Sequence, residues 1–454
     1  MITFSIIKKS QLEGAQRLDA EYYQPDYFID FTKGNWQPVS IFLKKCQYGL
    51  SQEMNDDKAG YPMFKMDDIN NAFLFEDEVR YANISEKVAK DFILKENDVL
   101  FNRVNSEELV GRTGIYKIED FPSVFASYLI RMKLKDDAEV LPDYLNIFLN
   151  SKYGIKQIKK FSRRAVNQAN VNAEELKQFK IAVLAKEIQK EIENISNESW
   201  NNFQLSKNLY RQAENQLLDN LELKDFNVDK NLFSIINFSD VRNAGRMDAE
   251  YFQPKYEKLI SKMKSQNLKL LSEVIENVPA KFNPLTEPDK LFKYVELSNI
   301  DSSVGIIDGF SETSGREAPG RAKRILKKGD VLVSSVEGSL GKVALVDKEQ
   351  EDHLASTGFF QFRSEDILPE VILVLAKSII LQMQLEQQCA GTILTAVPKE
   401  AINNIYVPIL EKPTQQKIAD LVRRSHEARK KAKELLDEAK RKVEEMIEKG
   451  GENS

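Results

Sequence analysis

The sequence predicts an α+β protein that consists of two similar globular domains, each followed by a long helix. Three observations indicate this fold class. A segment near the N-terminus recurs near the middle of the chain, weaker matches continue in the same order behind each copy, and each half ends in a long polar stretch with helical periodicity. The period is close to half the chain, whereas solenoid repeats recur every 20–50 residues or so. The duplication therefore indicates paired domains.

The strongest match joins Phe4–Tyr27 and Phe233–Tyr256, which align without a gap and share 14 of 24 positions. Both copies contain Asp-Ala-Glu-Tyr followed by an aromatic residue, Gln and Pro, and this element predicts a local hydrogen-bonded turn. The weaker matches are Lys95–Leu100 with Lys327–Leu332, Ala126-Ser127 with Ala355-Ser356, Leu141-Pro142 with Leu368-Pro369, and Phe179–Leu184 with Ile405–Leu410.

The globular parts, residues 1–185 and 229–411, carry mixed patterns. Short apolar segments bounded by Gly or Asn turns predict strands, and longer stretches with apolar residues three and four apart predict helices. The predicted strands are Asp98–Val104, Arg112–Ile118, Asp330–Val336 and Lys342–Val346. The predicted amphipathic helices are Pro142–Phe161 and Pro369–Gln388.

A long helix is expected after each globular part, within residues 186–228 and 412–454. Lys186–Leu223 and Pro413–Glu448 carry narrow apolar stripes with a spacing of three and four. At 1.5 Å per residue, such a helix spans roughly 50 Å. Neither helix would bury its stripe alone, so we expect the two helices to pack on each other.

The composition is that of a soluble globular protein, with 42% hydrophobic and 30% charged residues. The two cysteines, Cys46 and Cys389, exclude a disulfide framework and are typical of a reducing cytoplasm. The N-terminus lacks the apolar stretch of a signal peptide, and the apolar run around Val371–Ala376 is too short to cross a bilayer. The net charge of −5 does not exclude DNA binding, because that requires local rather than total positive charge.

Several further motifs follow the duplication. Gly60–Ile69 and its weaker counterpart Tyr294–Ile300 lie in comparable places, and Ala318–Leu332 is a basic segment that leads into Gly-Asp-Val-Leu. Ala165–Val183 and Gly391–Val407 precede the long helices. In their order and duplication these motifs resemble the specificity subunits of type I restriction-modification enzymes, and the resemblance covers nearly the whole chain.

The resemblance implies two target-recognition domains and two helices that form an antiparallel coiled coil with pseudo-twofold internal symmetry. It implies double-stranded DNA as the ligand and a bipartite, asymmetric target. It also implies two kinds of partner, namely DNA adenine methyltransferase (modification) subunits that use S-adenosylmethionine and a restriction/translocase subunit that uses ATP with magnesium. Asn97 departs from the family pattern, because it takes the place of a glycine.

This chain itself is expected to be non-catalytic and to bind no cofactor or metal. It contains no Asn-Pro-Pro-Tyr methylation motif, and Gly338–Val343 lacks the spacing and the hydroxyl residue of a P-loop. The paired carboxylates Asp19 and Glu21, repeated as Asp248 and Glu250, do not indicate metal or acid–base chemistry, which would need a convergent third group. His426 is placed on the exposed side of the last helix. Two rival functions stay open: a fused or divergent restriction or methylation enzyme, and a helical scaffold or decoy subunit that does not bind DNA.

The strongest local charge signal is the segment Ser151–Ala173, which has six basic residues and no acidic one. Arginine can pair bidentately with guanine and Asn or Gln with adenine, whereas lysine suits phosphate. A solvated helix face is the alternative, but DNA contact is favoured because uncompensated charge in an acidic protein requires an explanation. The candidates are Lys156, Lys159, Lys160, Arg163 and Arg164, with Asn167, Gln168 and Asn170 in a predicted irregular loop.

The second domain has its basic cluster in a different place, the Gly315–Lys328 loop, whose Gly and Pro residues predict outward-pointing side chains. The corresponding segment Tyr81–Asn97 is not basic, so the two domains are expected to read different half-sites. The candidates in the basic loop are Arg316, Arg321, Lys323 and Arg324. Lesser candidates on polar turns are Ser51, Asn102, Arg103, Asn105 and Arg112 in the first domain and Ser339, Lys342, Thr392 and Thr395 in the second.

Overall fold

The structure, a computed structural model, describes residues 6–10, 12, 17–77, 79–118, 121–166, 168–227, 234–390 and 395–450. The chain divides into two compact units, Met1–Phe203 with Lys430–Ser454 (unit 1) and Gln204–Arg429 (unit 2). Both units combine helices and strands, so the predicted α+β class is confirmed. The domain boundaries at residues 185, 228 and 411 stay a prediction, because each unit includes part of both long helices.

Unit 1 consists of short strands and helices that lead into the first long helix. Its strands are β1 (Trp36–Pro38), β2 (Leu43–Tyr48), β3 (Tyr61–Phe64), β4 (Ile69–Asn70), β5 (Phe73–Leu74), β6 (Arg80–Ala82), β7 (Val99–Asn102), β8 (Val104–Asn105), β9 (Thr113–Ile115), β10 (Val124–Phe125), β11 (Leu129–Leu134), β12 (Arg163–Ala165), β13 (Gln168–Asn170) and β14 (Lys180–Ala182). Its helices are α1 (Glu86–Ala89), α2 (Pro142–Leu149), α3 (Lys152–Phe161), α4 (Ala173–Lys177) and the first part of α5 (Lys186–Asn220).

Unit 2 repeats this plan. Its strands are β15 (Leu268–Leu270), β16 (Glu276–Asn277), β17 (Leu291–Val295), β18 (Ile300–Asp301), β19 (Ile306–Ile307), β20 (Ser311–Ser314), β21 (Ala322–Ile325), β22 (Val331–Ser334), β23 (Val343–Leu345), β24 (Leu354–Ser356), β25 (Phe359–Arg363) and β26 (Tyr406–Pro408). Its helices are α6 (Phe238–Ala244), α7 (Pro254–Met263), α8 (Leu271–Val274), α9 (Pro369–Lys377), α10 (Ile379–Gln388) and the first part of α11 (Lys412–Glu448).

The main sheet of unit 1 has six strands in the order β2-β11-β7-β9-β5-β4, beside the smaller sheets β10-β3-β6, β12-β13-β8 and β1-β14. Its central strand β7 is buried on both faces. Val99 and Phe101 pack with Tyr144 and Phe148 of α2, whereas Leu100 faces a second apolar cluster. This alternation is expected of a strand whose two faces are both covered.

The main sheet of unit 2 has the order β16-β25-β22-β23-β19-β18, which corresponds strand for strand to that of unit 1. The duplication in the sequence therefore extends to the strand order. The structure corrects one match between the two halves. Phe125, not Ala126, is equivalent to Ala355, because each of these two residues pairs with a parallel strand and lies four residues before the next strand. Strand β21 of unit 2 has no counterpart in the sheets of unit 1. The pairings of β8, β12 and β13 recur among the described residues of unit 2 only as isolated bridges, which join Val336 and Ala390 to Ala396.

The turn before each central strand explains why asparagine can replace glycine in this motif. Asn97 and Gly329 both have positive φ, 67° and 88°, and asparagine is one of the few residues that tolerate this region. The next residue of each turn, Asp98 or Asp330, accepts a hydrogen bond from the backbone amide three residues earlier, at 3.0 and 2.8 Å. Each carboxylate also binds an arginine of the adjacent strand, which fixes the turn against the sheet.

Each predicted amphipathic helix is in fact two helices, which corrects the prediction of single helices. Asn150 and Ser151 separate α2 from α3, and Ser378 separates α9 from α10. The Ser378 hydroxyl accepts a hydrogen bond from an amide in the first turn of α10 at 3.3 Å. Helices α2 and α9 are buried on nearly all sides rather than on one stripe.

Within unit 1, the first part of α5 runs antiparallel to the last part of α11. Ser199 Oγ donates to the carbonyl of Ala432 at 2.7 Å, and Lys442 pairs with Glu191 about two to three turns farther along. Small and apolar side chains, which the predicted stripes include, fill this contact.

Within unit 2, the last part of α5 and the first part of α11 are antiparallel in the same way. Ser425 Oγ donates to the carbonyl of Ser206 at 2.7 Å, and Thr414 Oγ1 lies 3.4 Å from Asn220 Oδ1. Both serines are fully buried, and the hydroxyl of Ser206 has a partner as well, because it lies 3.3 Å from Ser425 Oγ.

The exposed placement of His426 is wrong. Its Nε2 lies 2.9 Å from the carbonyl of Val304, and burial lowers the pKa of the imidazole. Nearby, Arg429 Nη2 donates to Ser303 Oγ at 2.6 Å. This side of α11 faces the turn between β18 and β19, a long-range contact that helical periodicity alone does not reveal.

Candidate DNA-recognition surface

The densest set of candidate DNA contacts lies on a β-hairpin formed by β12 and β13. Arg163 pairs with Asn170 and Arg164 with Ala169, and Ala169 also pairs with Asn105 of β8. The prediction of an irregular loop is therefore wrong. Strand β8 supplies backbone partners that the local sequence does not show.

The amide side chains at this hairpin differ in exposure. Gln168 is exposed, Asn170 is half-buried, and Asn167 lies outside the described residues. On the adjoining β8, Asn105 is half-buried with its Nδ2 3.5 Å from Met66 Sδ. Gln168 thus presents to solvent the kind of amide that reads adenine.

Both hairpin arginines have carboxylate partners from elsewhere in unit 1. Arg163 Nε lies 2.6 Å from Glu175 Oε1, and Arg164 Nη2 lies 2.6 Å from Glu107 Oε1. The premise that the charge of this segment is uncompensated is therefore wrong for these two side chains, because acids distant in sequence fold against them.

The lysine candidates all lie on α3. Lys159 is exposed, whereas Lys156 and Lys160 are half-buried. Lys160 Nζ lies 4.8 Å from the centre of the Tyr22 ring, and burial lowers the pKa of this ammonium group. Within the described part of the chain, no carboxylate pairs with Lys156 or Lys159, so both can meet a phosphate.

A cluster of turns next to the hairpin centres on Arg103. Its Nε donates to the carbonyl of Ser127 at 3.0 Å, and its guanidinium lies 5.0 Å from the centre of the Tyr48 ring. Tyr48 is 41% exposed and Tyr128 is 50% exposed. Tyr128 is not among the candidates identified from the sequence. Its position, an aromatic residue in a turn between two apolar strands, could have indicated it.

The other candidates of unit 1 differ in exposure and in role. Ser51 is exposed and adjoins this cluster, because the amide of Ser127 donates to the carbonyl of Leu50 at 2.8 Å. Arg112 is also exposed. Asn102 is fully buried and its Nδ2 donates to a carbonyl of the next turn at 3.3 Å, so its placement gives it a structural role rather than a DNA contact.

The repeated N-terminal element forms a hydrogen-bonded turn, as predicted, with an arginine at its centre. Arg17 Nε and Nη2 each bind one oxygen of Asp19 at 2.6 Å, and the arginine lowers the pKa of that carboxyl. Arg17 Nη1 donates to the carbonyl of Phe161, the last residue of α3, at 3.2 Å. The same Nη1 lies 3.3 Å from Glu175 Oε1. We call this Arg-Asp unit the arginine clasp.

Unit 2 has an equivalent arginine clasp. Arg246 Nε and Nη2 bind Asp248 at 2.9 and 2.5 Å, and Nη2 donates to the carbonyl of Cys389, just after α10, at 2.7 Å. Each clasp therefore holds the C-terminal end of the helix that precedes a candidate loop, where free carbonyls favour a cation. Between arginine and aspartate lie Leu18 and Met247, 87% and 86% exposed.

The basic segment of unit 2 is partly a strand, which corrects one candidate. In β21 the side chains alternate, so Lys323 is exposed and Arg324 is 2% exposed. Arg324 Nη1 donates to the carbonyl of Val278 at 2.6 Å, and burial lowers the pKa of Arg324 to about 10. The prediction that Arg324 points outward is wrong. Arg316 and Arg321 are exposed, and Arg316 pairs with an exposed aspartate at 3.2 Å.

The lesser candidates of unit 2 have mainly structural partners. Ser339 Oγ lies 3.0 Å from another serine hydroxyl, and Lys342 Nζ donates to a backbone carbonyl at 3.0 Å. Thr395 is half-buried and accepts a backbone hydrogen bond from the turn that contains Ser339. Thr392 lies outside the described residues.

Direct hydrogen bonds bring the turns of unit 2 together. The amide of Thr357 donates to the carbonyl of Arg321 at 2.8 Å, and the amide of Ser335 donates to the carbonyl of Gly358 at 2.9 Å. The amide of Val397 then donates to the carbonyl of Ser335 at 2.8 Å. The basic segment and the loop before α11 therefore lie at one continuous surface of this unit.

The structure gives no sign of a metal centre: among the described residues, no group of three His, Cys, Asp or Glu side chains could hold an ion. Over the same part of the chain, none of the helices has the length and apolar character needed to span a membrane.

Residues 39–215 match the type I restriction modification DNA specificity domain. Over these residues the chain is similar to that domain, and the resemblance to specificity subunits inferred from the sequence is confirmed for this region. The match includes the hairpin, α4 and most of α5.

Two curated specificity subunits are similar to part of the chain. A putative type I restriction enzyme MjaX specificity subunit from Methanocaldococcus jannaschii is 30% identical over 155 residues, 34% of this chain and 36% of the relative. The type I restriction enzyme EcoKI specificity subunit from Escherichia coli is 26% identical over 157 residues, 34% of this chain and 32% of the relative. The alignments thus span about a third of these relatives. Among solved structures, the S subunit of a type I restriction-modification system from M. genitalium is 14% identical with a TM-score of 0.43, and the comparison covers 92% of this chain and 98% of that one.

Proposed function

We propose that this chain is the sequence-specific DNA-binding subunit of a type I-like restriction-modification complex, in which each unit reads one half of a bipartite, asymmetric target. The observation that carries the proposal is the contrast between scaffold and surface. Both main sheets have the same strand order, but unit 1 carries Arg163 and Arg164 on the hairpin strand β12, and unit 2 carries its basic residues on and before the additional strand β21. A duplicated scaffold with two different basic surfaces suits a target whose halves differ.

Within each unit, the exposed side chains divide by chemistry. Lys156 and Lys159 suit phosphate contacts, which position a protein on DNA without reading sequence. Arg163 and Gln168 carry the donors that distinguish guanine and adenine in the major groove. In unit 2, Arg321 and Lys323 are exposed, and the carbonyl of Arg321 takes part in the continuous surface of turns.

We propose further that α5 and α11 form one antiparallel coiled coil with pseudo-twofold symmetry, which the antiparallel contacts inside each unit support. The chain itself is non-catalytic. A DNA adenine methyltransferase subunit with S-adenosylmethionine and a restriction/translocase subunit with ATP and magnesium carry out the chemistry in the cytoplasm. The exposed Leu18 and Met247, which recur at equivalent places, are suited to contact modification subunits.

Methyl transfer by purified proteins tests this proposal. The complex of this chain with its methyltransferase subunit is expected to methylate duplex DNA at a defined sequence, with an affinity that falls as salt rises. Either protein alone is expected to show no sequence-specific transfer. Methyl transfer or DNA cleavage by the rigorously purified chain alone would contradict the proposal.

A further inference from the structure

We infer that the two arginines of the hairpin have separate tasks in DNA recognition, set by the carboxylate that each one binds. Arg163, tied to Glu175, is oriented to read a base. Arg164, tied to Glu107, exchanges its carboxylate for a DNA phosphate. This inference rests on the proposed function and deepens it, because it names which side chain of unit 1 determines specificity and which determines affinity.

Glu175 is a fixed carboxylate. Its side chain is 7% exposed, and its Oε2 accepts a hydrogen bond from the amide of Asn172 at 3.0 Å. Its Oε1 accepts from Arg163 Nε at 2.6 Å and lies 3.3 Å from Nη1 of Arg17, the arginine of the clasp. Because its donors come from three separate segments, Glu175 holds a defined position and transmits it to Arg163.

The contact with Glu175 leaves the reading edge of Arg163 available. Glu175 takes Nε, while the described residues offer no partner to Nη1 and Nη2, and the Arg163 side chain is 63% exposed. The edge formed by Nη1 and Nη2 can donate two parallel hydrogen bonds to guanine O6 and N7. A guanidinium that is already oriented loses less conformational freedom when it binds.

The pair of Arg164 and Glu107 has the opposite character. Its side chains are 30% and 53% exposed, and Arg164 Nη2 also contacts the hydroxyl of Tyr27 at 3.1 Å. An exposed ion pair is weak and screened by salt, so the concentrated charge of a DNA backbone can displace it. Until then, Glu107 cancels the charge of Arg164 and lowers the affinity for every DNA sequence alike.

The described residues of unit 2 show no such coupling. Ala401 lies five residues before β26, as Glu175 lies five residues before β14, so no carboxylate occupies the equivalent position. The clasp of unit 2 binds backbone carbonyls through Arg246 instead. Over the part of the chain that the structure describes, the link from clasp to reading side chain is found in unit 1.

The first test measures discrimination. The full complex with its methyltransferase subunit is titrated with its cognate duplex, with duplexes that carry single substitutions in the half-sites, and with an unrelated duplex. Glu175→Gln and Arg163→Lys should each reduce discrimination at one base pair of one half-site by roughly five- to hundredfold, the value of a bidentate contact. The exposed neighbour Glu174→Gln is the matched control and should leave discrimination unchanged.

The second test measures affinity and its salt dependence. Glu107→Gln should raise the affinity for cognate and unrelated duplexes together by about two- to fivefold, without a change in their ratio. Glu108→Gln removes an adjacent exposed charge that has no arginine partner among the described residues, and it should have a smaller effect. Arg164→Ala should lower affinity uniformly and reduce the slope of log affinity against log salt by about 1.

The outcomes separate the inference from the function on which it rests. Unchanged discrimination by both Glu175→Gln and Arg163→Lys, in complexes that unfold at the wild-type temperature, would overturn the task given to Arg163. The Arg163→Lys variant keeps the carboxylate network, so this result stands even where Glu175→Gln fails to fold. Equal effects of Glu107→Gln and Glu108→Gln would overturn the exchange at Arg164. A wild-type complex with no sequence preference would overturn the proposed function itself.

Discussion

Asp68 and Asn299 occupy equivalent turns of the two units. Because one is charged and the other neutral, comparing them shows what it costs in free energy to bury a charge there. Each side chain accepts a hydrogen bond from the backbone amide three residues earlier, Asp68 from Lys65 at 2.7 Å and Asn299 from Glu296 at 2.9 Å. Asp68 is 6% exposed, and burial raises its pKa from 3.8 to about 6 although Lys65 Nζ lies 3.1 Å away. Desolvation therefore outweighs the ion pair at this site.

We predict that Asp68→Asn stabilises the protein above pH 6. The folded-state pKa of Asp68 lies above its unfolded value, so the folded chain binds more protons between about pH 4 and pH 6. Wild-type stability therefore falls through that window as pH rises, by about 2–3 kcal/mol, and stays low above it. Asparagine keeps the acceptor and removes the charge. Denaturant unfolding at pH 4 and pH 8 should show the gain only at pH 8; an equal gain at both would contradict this account.

Truncation of two neighbouring residues in β21 should have opposite effects, one mainly on stability and the other mainly on DNA binding. Arg324→Ala leaves the buried carbonyl of Val278 without its donor and opens a cavity, so it should lower the free energy of unfolding by about 1–3 kcal/mol. Lys323→Ala should change stability by less than about 0.5 kcal/mol and weaken DNA binding in a salt-dependent way. Unfolding and DNA titration of both variants check this pair. A stable Arg324→Ala variant with impaired DNA binding would restore Arg324 as a DNA contact.

At the scale of elements, the contact between α2 and α3 depends on Gly154. A Cβ atom there would lie 2.4 Å from the carbonyl oxygen of Leu149 and 2.5 Å from that of Phe148. Backbone atoms cannot yield as a flexible side chain can, so α3 would have to move. Because α3 carries Lys156 and Lys159, this contact positions the lysines that we propose for phosphate binding.

We predict that Gly154→Ala destabilises the protein by about 1–3 kcal/mol and weakens DNA binding. Gly320→Ala is the matched control, since a Cβ there meets nothing within 4 Å. Thermal unfolding and DNA titration measure both effects. Equal behaviour of the two alanine variants would show that α3 has room to adapt.

The elements that the sequence predicted are those set by local patterns. Turn residues mark β7, β9, β22 and β23, and periodicity marks the two long helices to within a few residues. The hairpin was missed because its third strand, β8, lies about 60 residues earlier in the chain. The burial of Arg324 depends on which face of β21 meets the core, and the partners Glu107 and Glu175 are known only once the chain has folded.

For the whole molecule, the duplication was predictable because both copies of the N-terminal element keep the residues that form the arginine clasp. Arg17 and Arg246 each donate a hydrogen bond to a carbonyl at the C-terminal end of the helix before a candidate loop, so both copies have the same structural role. The surfaces beyond the clasps differ in where their basic residues lie, on the hairpin strand β12 in unit 1 and on the additional strand β21 in unit 2. Because the two units share the clasp but differ in the surface that it supports, we infer that they read independent half-sites.

Mapping of methylated adenines in cellular DNA tests that claim most directly. Cells would express the methyltransferase subunit with the wild-type chain, with Arg163→Ala plus Gln168→Ala in unit 1, or with Arg321→Ala plus Lys323→Ala in unit 2. The wild-type chain should direct methylation to a two-part asymmetric sequence. The unit 1 variant should relax one part only, and the unit 2 variant only the other. Relaxation of both parts by either variant, or methylation at one contiguous sequence, would contradict the claim that each unit reads its own half-site.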